Sequence, residues 1–193
     1  MAIKTMSASS GGGGQYNAGW HELTISKAEY GNWKGPDGLA KRYLDVWFQG
    51  YPDNMNMRIY ETFTKETNEE FKIASLFRFA NAGILEILKD PTGKKPVIQY
   101  DDDAKNLLGK VINVLFYKET KTGNNYSRIF DSVAPIEQEG DHISYGSDQV
   151  ASIKKSVEAN LERRQSASSN DTGFSSAPVD TKSTDKESNP VPF

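Results

Sequence analysis

The sequence contains no cysteine and only two histidines, His21 and His142. Without cysteine, the chain can form neither a disulfide nor a thiolate metal site, as fits a reducing compartment. Two isolated histidines argue against a histidine-based metal centre or catalytic triad. The acidic run at 101–103 lacks the spacing of a calcium-binding loop. The sequence therefore predicts no metal site and no cofactor.

Long hydrophobic runs are also missing. No apolar run is long enough to span a bilayer, and the first residues lack the pattern of a signal peptide. These absences predict a cytoplasmic protein with no membrane partner.

An excess of positive charge is missing as well, since the chain carries a net charge of −3. Residues 15–139 contain 16 lysines and arginines against 18 aspartates and glutamates. This balance argues against a protein that coats nucleic acid through its overall charge. Any nucleic-acid site must therefore be a local patch.

Only 36% of the 193 residues are hydrophobic, and the shortage lies at the two ends of the chain. Residues 1–14 include four consecutive glycines and predict a flexible leader, whereas 166–193 predict a disordered acidic and polar tail. Residues 15–139 have the composition of one folded domain. A segment at 147–165 could form an amphipathic helix that packs on the domain, pairs with another copy as a homo-oligomer, or stays unfolded. Its apolar stripe consists of Val150, Ile153, Val157 and Leu161.

Alternating apolar and polar residues predict five strands in the central domain. They are 20–30, 41–49, 57–63, 110–118 and 125–133, separated by turn-forming stretches at 31–38, 51–54 and 121–124. A helical period begins after the third strand, with a capping box from Thr67 to Glu70 and a stop at Gly83. The segment 87–100 is expected to be a connector, and the acidic run at 101–103 to begin a short helical turn. We therefore predict a mainly β fold, namely a five-stranded OB-fold-like Greek-key barrel with a helix between strands 3 and 4.

The second and third predicted strands carry large side chains on both faces. Leu44, Val46 and Phe48 alternate with Tyr43, Asp45 and Trp47; Met57, Ile59 and Phe63 alternate with Arg58 and Tyr60. If these strands pair, the aromatic and cationic side chains could form a surface on which unpaired bases stack. Alternatively, Tyr43 and Trp47 lie under a loop or under the helix that follows.

Further candidates lie at the two predicted hairpins. Trp33 and Lys34 are expected at the tip of the first hairpin, and Lys118 and Lys121 beside the second. The full set of candidate DNA-binding residues is Trp33, Lys34, Arg42, Tyr43, Trp47, Arg58, Tyr60, Lys110, Lys118, Lys121, Tyr126 and Arg128. No nucleophile elbow, phosphate loop or metal motif accompanies the scattered acidic residues Glu22, Glu29, Asp45 and Glu61, so no catalytic residue and no enzyme is predicted.

A polar tail that ends in Val191, Pro192 and Phe193 resembles the tails of single-stranded-DNA-binding proteins of bacteria and their phages. Short stretches of the domain are similar too. They are Ala28-Glu29, Tyr43-Leu44, Arg58-Ile59-Tyr60, Ala82-Gly83, Leu108-Gly109-Lys110 and the Gly-Asn-Asn-Tyr hairpin at 123–126. The acidic part of this tail is thinner than in that family, because Asp180, Asp185 and Glu187 are interspersed with Lys182 and Lys186.

The resemblance implies a phage or bacterial protein that binds single-stranded DNA without strong sequence preference during replication, recombination or repair. It also implies that Phe193 anchors the tail to replication or recombination proteins. The alternative is an adaptor or assembly module with no nucleic-acid role, because protein interfaces also favour aromatic residues and arginine.

Overall fold

The structure is a computed structural model that describes residues 16–35, 38, 40–88, 97–121, 123–140 and 142–170. The expected leader at 1–14 and the residues from 171 onward lie outside the described residues. Within the described part, the elements are β1 (Gly19–Lys34), β2 (Ala40–Phe48), β3 (Met57–Tyr60), α1 (Lys72–Phe79), β4 (Ile84–Leu88), β5 (Val97–Tyr100), a 3₁₀ helix (Ala104–Leu107), β6 (Val111–Lys121), β7 (Asn124–Ala134) and α2 (Ser147–Asn170).

Five strands form one antiparallel sheet in the order β3-β2-β1-β6-β7. The long strand β1 pairs with β6 along its first part and with β2 along its second part. A register shift between Ile25 and Lys27 marks the point where β1 changes partner, as expected of a β-bulge that bends a strand. The prediction of a mainly β chain with a helix after the third strand is confirmed.

The described part of the chain does not form a closed barrel. β3 and β7 approach each other, but no ladder of hydrogen bonds joins them, and they remain the two edges of the sheet. Closure would require β3 to pair along a second edge, and β3 is only four residues long. The barrel predicted from the order of elements is therefore observed only as an open five-stranded sheet.

The expectation of a connector at 87–100 is wrong. Ile84–Leu88 and Val97–Tyr100 pair as a separate two-stranded antiparallel sheet. Both prolines of this segment, at positions 91 and 96, fall between the two strands in the sequence. They are therefore no obstacle to the short strands on either side.

The core lies between the inner face of the sheet and α1. The buried apolar residues on β1–β3 are Leu23, Ile25, Leu44, Val46, Phe48, Met57 and Ile59, as the alternation predicts. Ile73, Leu76 and Phe77 on α1 cover them. Phe63 was expected to share this face but is 47% exposed, because β3 ends at Tyr60 and Phe63 makes only an isolated bridge with Glu70.

Helix α1 begins at Lys72 and not at Thr67. Asn68 has a positive φ of 53°. This left-handed backbone conformation interrupts a right-handed helix at residue 68. The Thr67 hydroxyl contacts the side chains of Thr64 and Glu69 instead of a helix N-terminus. The Glu70 carboxylate accepts hydrogen bonds from the backbone N–H groups of residues 72–74 at 2.8–2.9 Å. The predicted capping box is therefore replaced by a single carboxylate that caps α1 from outside.

Helix α2 packs on the β6–β7 half of the sheet and continues to Asn170, beyond the expected end at 165. Val157 lies in a second apolar cluster with Leu115 and Phe130. Asp131 on β7 accepts from Lys72 of α1 at 2.5 Å and from Arg164 of α2 at 2.9 Å. One carboxylate thus joins both helices to the sheet.

Candidate nucleic-acid interface

The outer face of β1–β3 carries a cluster of three aromatic side chains. Register places Tyr43 opposite both Gly31 and Tyr60, so these three positions share one face. The ring centroids of Trp33 and Tyr60 are 5.8 Å apart, and those of Tyr43 and Tyr60 are 6.0 Å apart, both with tilted edge-on geometry. We call Trp33, Tyr43 and Tyr60 the aromatic cluster.

Two members of the aromatic cluster are open to solvent. Trp33 is 40% exposed and Tyr60 is 38% exposed. Large aromatic side chains usually bury most of their surface when a fold offers them cover. Trp33 and Tyr60 are therefore accessible to a ligand, whereas Tyr43 and Trp47, for which cover by a loop or helix was the alternative, are half-buried.

Tyr43 is held against the sheet. A Cβ atom at Gly31 would lie 2.3 Å from the Tyr43 ring, so the ring rests directly on the backbone of β1. The guanidinium carbon of Arg58 lies 4.0 Å from the centre of the same ring, within range of a cation–π contact. Tyr43 is therefore less exposed than its two aromatic neighbours.

Arg58 and Asp45 form a two-bonded ion pair beside Tyr43. The Nε and NH2 atoms of Arg58 each donate to one Asp45 oxygen at 2.7 Å. The Asp45 side chain is only 10% exposed. The hydrogen bonds from Arg58 to Asp45 raise the pKa of Arg58 further above its usual value. The Arg58 guanidinium therefore stays charged across the ordinary pH range.

Trp47 lies on the outer face but apart from the aromatic cluster. It lies four positions further along β2 than Tyr43, a distance of about 13 Å. Its indole N–H donates to the Asp53 carbonyl oxygen at 2.9 Å, and the Lys27 ammonium lies 4.5 Å from its ring centre. Trp47 thus fixes the β2–β3 turn and is half-buried.

Arg42 and Lys34 do not lie on the outer face, which corrects the grouping made from the sequence. Arg42 pairs in register with Asn32, on the face opposite Tyr43. Its guanidinium stacks 3.6 Å from the Tyr30 ring centre and donates to Asp102 at 3.0 Å. Neighbouring strand residues point to opposite faces, so the period of two already separated Arg42 from Tyr43.

The first hairpin also differs from the expectation. β1 extends through Lys34, so Trp33 and Lys34 lie on the strand and not at a loop tip. Trp33 is paired with Lys41, and its position on the outer face therefore follows from the ladder.

The described candidates on the second hairpin make contacts within that hairpin. Lys118 donates to the Ser127 hydroxyl at 2.8 Å. Arg128 donates to Glu119 at 2.9 Å and lies 5.8 Å from the ring centre of Tyr126. Tyr126 is 43% exposed. The Lys121 side chain lies outside the described residues.

Lys110 is engaged elsewhere. Its ammonium donates to the Asn81 carbonyl oxygen at 3.0 Å, beside a small polar cavity that also includes Asp101 and His142. Sequence reasoning placed Lys110 among the phosphate contacts, whereas here it stabilises the chain after α1.

Two cations of the outer face were missed. Lys41 lies two residues before Tyr43, and its ammonium is 6.0 Å from the Trp33 ring centre. The alternation of side chains along β2 predicts that Lys41 lies on the same face as Tyr43. The position of Lys27 on the outer face could not be predicted from the sequence, because the register shift after Ile25 changes which β1 residues face Trp47.

The remaining chemistry of the described residues is sparse. No group of three or more His, Asp or Glu side chains is placed to hold a metal ion in the described ranges. None of the described helices combines the length and apolar character needed to cross a bilayer. Comparison of the chain with protein-family models and with curated proteins finds no match.

Proposed function

We propose that this protein binds single-stranded DNA, without strong sequence preference, through the outer face of β1–β3. The observation that carries the proposal is the aromatic cluster, in which Trp33 and Tyr60 are exposed on the outer face of the sheet. Every base has a π-face, so exposed rings of this kind bind single strands with little regard to sequence. The proposed binding involves no catalytic group. We propose that it takes place during phage or bacterial DNA replication, recombination or repair.

The order of strands supports the proposal. An OB-fold barrel that is opened between its own third and fifth strands has the strand order observed here, β3-β2-β1-β6-β7. OB-folds usually bind oligonucleotides on the second and third strands, and Tyr43 and Tyr60 lie on β2 and β3. We propose that the sheet is an OB-fold of this open form.

Stacking rather than charge should supply most of the affinity. Each base stacked on an aromatic ring contributes about 1–3 kcal/mol. The cations of the outer face have acidic neighbours, since Arg58 is bonded to Asp45 and Lys27 lies 3.0 Å from Glu29. If Lys27 and Lys41 meet one phosphate each, the slope of log affinity against log salt is about −1.4.

We expect tryptophan fluorescence to fall in a saturable way when an oligo-dT is added, with a modest loss of affinity at high salt. Trp33→Phe should remove most of the quenching. The matched control is Trp20→Phe, because the Trp20 indole N–H donates to Glu158 of α2, away from the outer face. Absence of quenching at low salt would refute the proposal.

We expect Tyr60→Ala to weaken oligo-dT binding by about tenfold, the equivalent of one lost stacking contact. Adding Trp47→Ala should weaken it further if the strand runs along β2. Tyr126→Ala is the control, since Tyr126 is as exposed as Tyr60 but lies outside the aromatic cluster. Equal losses in Tyr60→Ala and Tyr126→Ala, or unchanged affinity in the Trp47→Ala/Tyr60→Ala double variant, would count against the outer face.

A second candidate function is supported by the β4–β5 sheet. Leu85 is 64% exposed, Val97 48% and Ile87 37%. Several exposed apolar side chains on one small sheet are typical of protein-binding surfaces, which favours an adaptor. A protein that shows no affinity for oligo-dT, but loses a protein contact on Leu85→Ser, would establish this second function instead.

The tail belongs to the proposal as a recruiting segment. Val191, Pro192 and Phe193 would bind replication or recombination proteins, and they lie outside the described residues. Removing 191–193 should leave oligo-dT affinity within about twofold, because the aromatic cluster is untouched.

A further inference from the structure

Arg58 is positioned so that it cannot readily serve as a phosphate contact. Both of its bonds to Asp45 are 2.7 Å long, and they use the Nε and NH2 edge of the guanidinium, one of the two edges that could grip an oxyanion. Turning Arg58 toward a phosphate would leave the nearly buried Asp45 carboxylate without its partner. Leaving a buried charge unpaired is strongly unfavourable.

Tyr43 is one of the aromatic side chains that this ion pair contacts. The Arg58 guanidinium lies 4.0 Å from its ring centre, and the ring packs on the bare backbone of Gly31. Gly31 carries no positive φ that would demand glycine, so close approach of the Tyr43 ring is the feature that excludes a side chain there. Tyr43 in turn contacts Tyr60 edge-on at 6.0 Å.

We propose that Gly31, Asp45 and Arg58 are positioning residues that fix the ring of Tyr43, and through it the geometry of the aromatic cluster, while phosphate contacts fall to other cations. The inference rests on the proposed single-stranded-DNA binding and specifies how that site is built. Preorganised rings lose little conformational entropy when a base stacks on them. Arg58 therefore acts on affinity through Tyr43 and not through charge.

Gly31→Ala tests the positioning directly. It changes no charge, removes no ring and suits a strand, yet its Cβ would displace the Tyr43 ring. We expect oligo-dT affinity to fall by about tenfold with an unchanged thermal midpoint. In a Tyr43→Leu background, which has no ring to displace, Gly31→Ala should change affinity by less than about twofold. A similar loss in both backgrounds, or no loss in either, would overturn the inference.

The salt dependence separates positioning from phosphate contact. Asp45→Asn/Arg58→Gln keeps two hydrogen-bonding groups without charge, and we expect weaker binding with an unchanged salt slope. Lys41→Gln should lower the magnitude of the slope by about 0.7, the value for one phosphate on a single strand. A drop of that size in Asp45→Asn/Arg58→Gln would overturn the inference and leave the proposed function standing. If the unmodified protein shows no affinity for oligo-dT, the proposed function fails, and the inference fails with it.

Discussion

At the scale of single residues, the face of β1 and β2 opposite the aromatic cluster contains an unusual buried group. The Tyr30 hydroxyl is buried and has no hydrogen-bond partner among the described residues. Its ring lies beneath the Arg42 guanidinium. Burial, followed by the nearby charge of Asp102, raises the pKa of Tyr30 well above its usual value, so the phenol stays neutral. An unpaired buried hydroxyl is destabilising.

We expect Tyr30→Phe to raise the free energy of unfolding by about 1 kcal/mol, because it removes a desolvated hydroxyl and keeps the ring under Arg42. Urea denaturation measures the change. Tyr126→Phe is the control, since the exposed Tyr126 should tolerate loss of its hydroxyl within about 0.5 kcal/mol. A loss of stability in Tyr30→Phe would contradict this account of the hydroxyl.

Much of the outer face could be predicted from the period of two alone. Tyr43, Trp47, Arg58 and Tyr60 all fall on one face, as the alternation predicts. The ion pair between Arg58 and Asp45 could not be predicted, because it depends on the register between β2 and β3. Nor could the contact of Tyr43 with Gly31, since it depends on the register between β1 and β2.

At the scale of elements, the start of α1 depends on one carboxylate. Glu70 accepts from the N–H groups of residues 72–74 and also from the N–H of Thr62 at 3.2 Å. It therefore satisfies the first turn of a helix whose N-cap residue, Phe71, makes no side-chain bond. The sequence pointed to Glu70 but assigned the cap to Thr67.

We expect Glu70→Ala to lower the free energy of unfolding by about 2 kcal/mol, the upper end for loss of a helix cap, because several N–H groups lose their acceptor at once. Glu66→Ala is the control, since Glu66 is exposed in the turn just before α1. Urea denaturation of both variants measures the difference. Equal effects would show that the negative charge, and not the cap, matters.

The sequence predicted which helices and strands exist more reliably than it predicted where they begin and end. The five predicted strands all appear, because each had either an alternation of apolar and polar residues or a strand-like composition next to a clear turn. β4 and β5 were missed, since two strands of five and four residues are too short for a distinct pattern. The positive φ at Asn68 shortened α1 from its expected start, and no local residue pattern predicts that angle.

At the scale of the whole molecule, the two halves of the sheet have different surroundings. Helix α2 covers the β6–β7 half through the apolar side chains of Val157 and Leu161. Arg164 of α2 also donates to Asp131 of β7, and Trp20 of β1 donates to Glu158 of α2. The outer face of β1–β3 keeps Trp33 and Tyr60 exposed. The order of elements could predict the sheet but not this asymmetry, because it depends on where α2 docks.

The most direct test of the central claim is to map where a single strand contacts the protein. An oligo-dT carrying photoreactive thymines is bound at low salt and irradiated, and the adducts are located by mass spectrometry. We predict adducts on Trp33 and Tyr60, the exposed members of the aromatic cluster. Adducts confined to Tyr126 and the second hairpin, or to the β4–β5 sheet, would contradict the account.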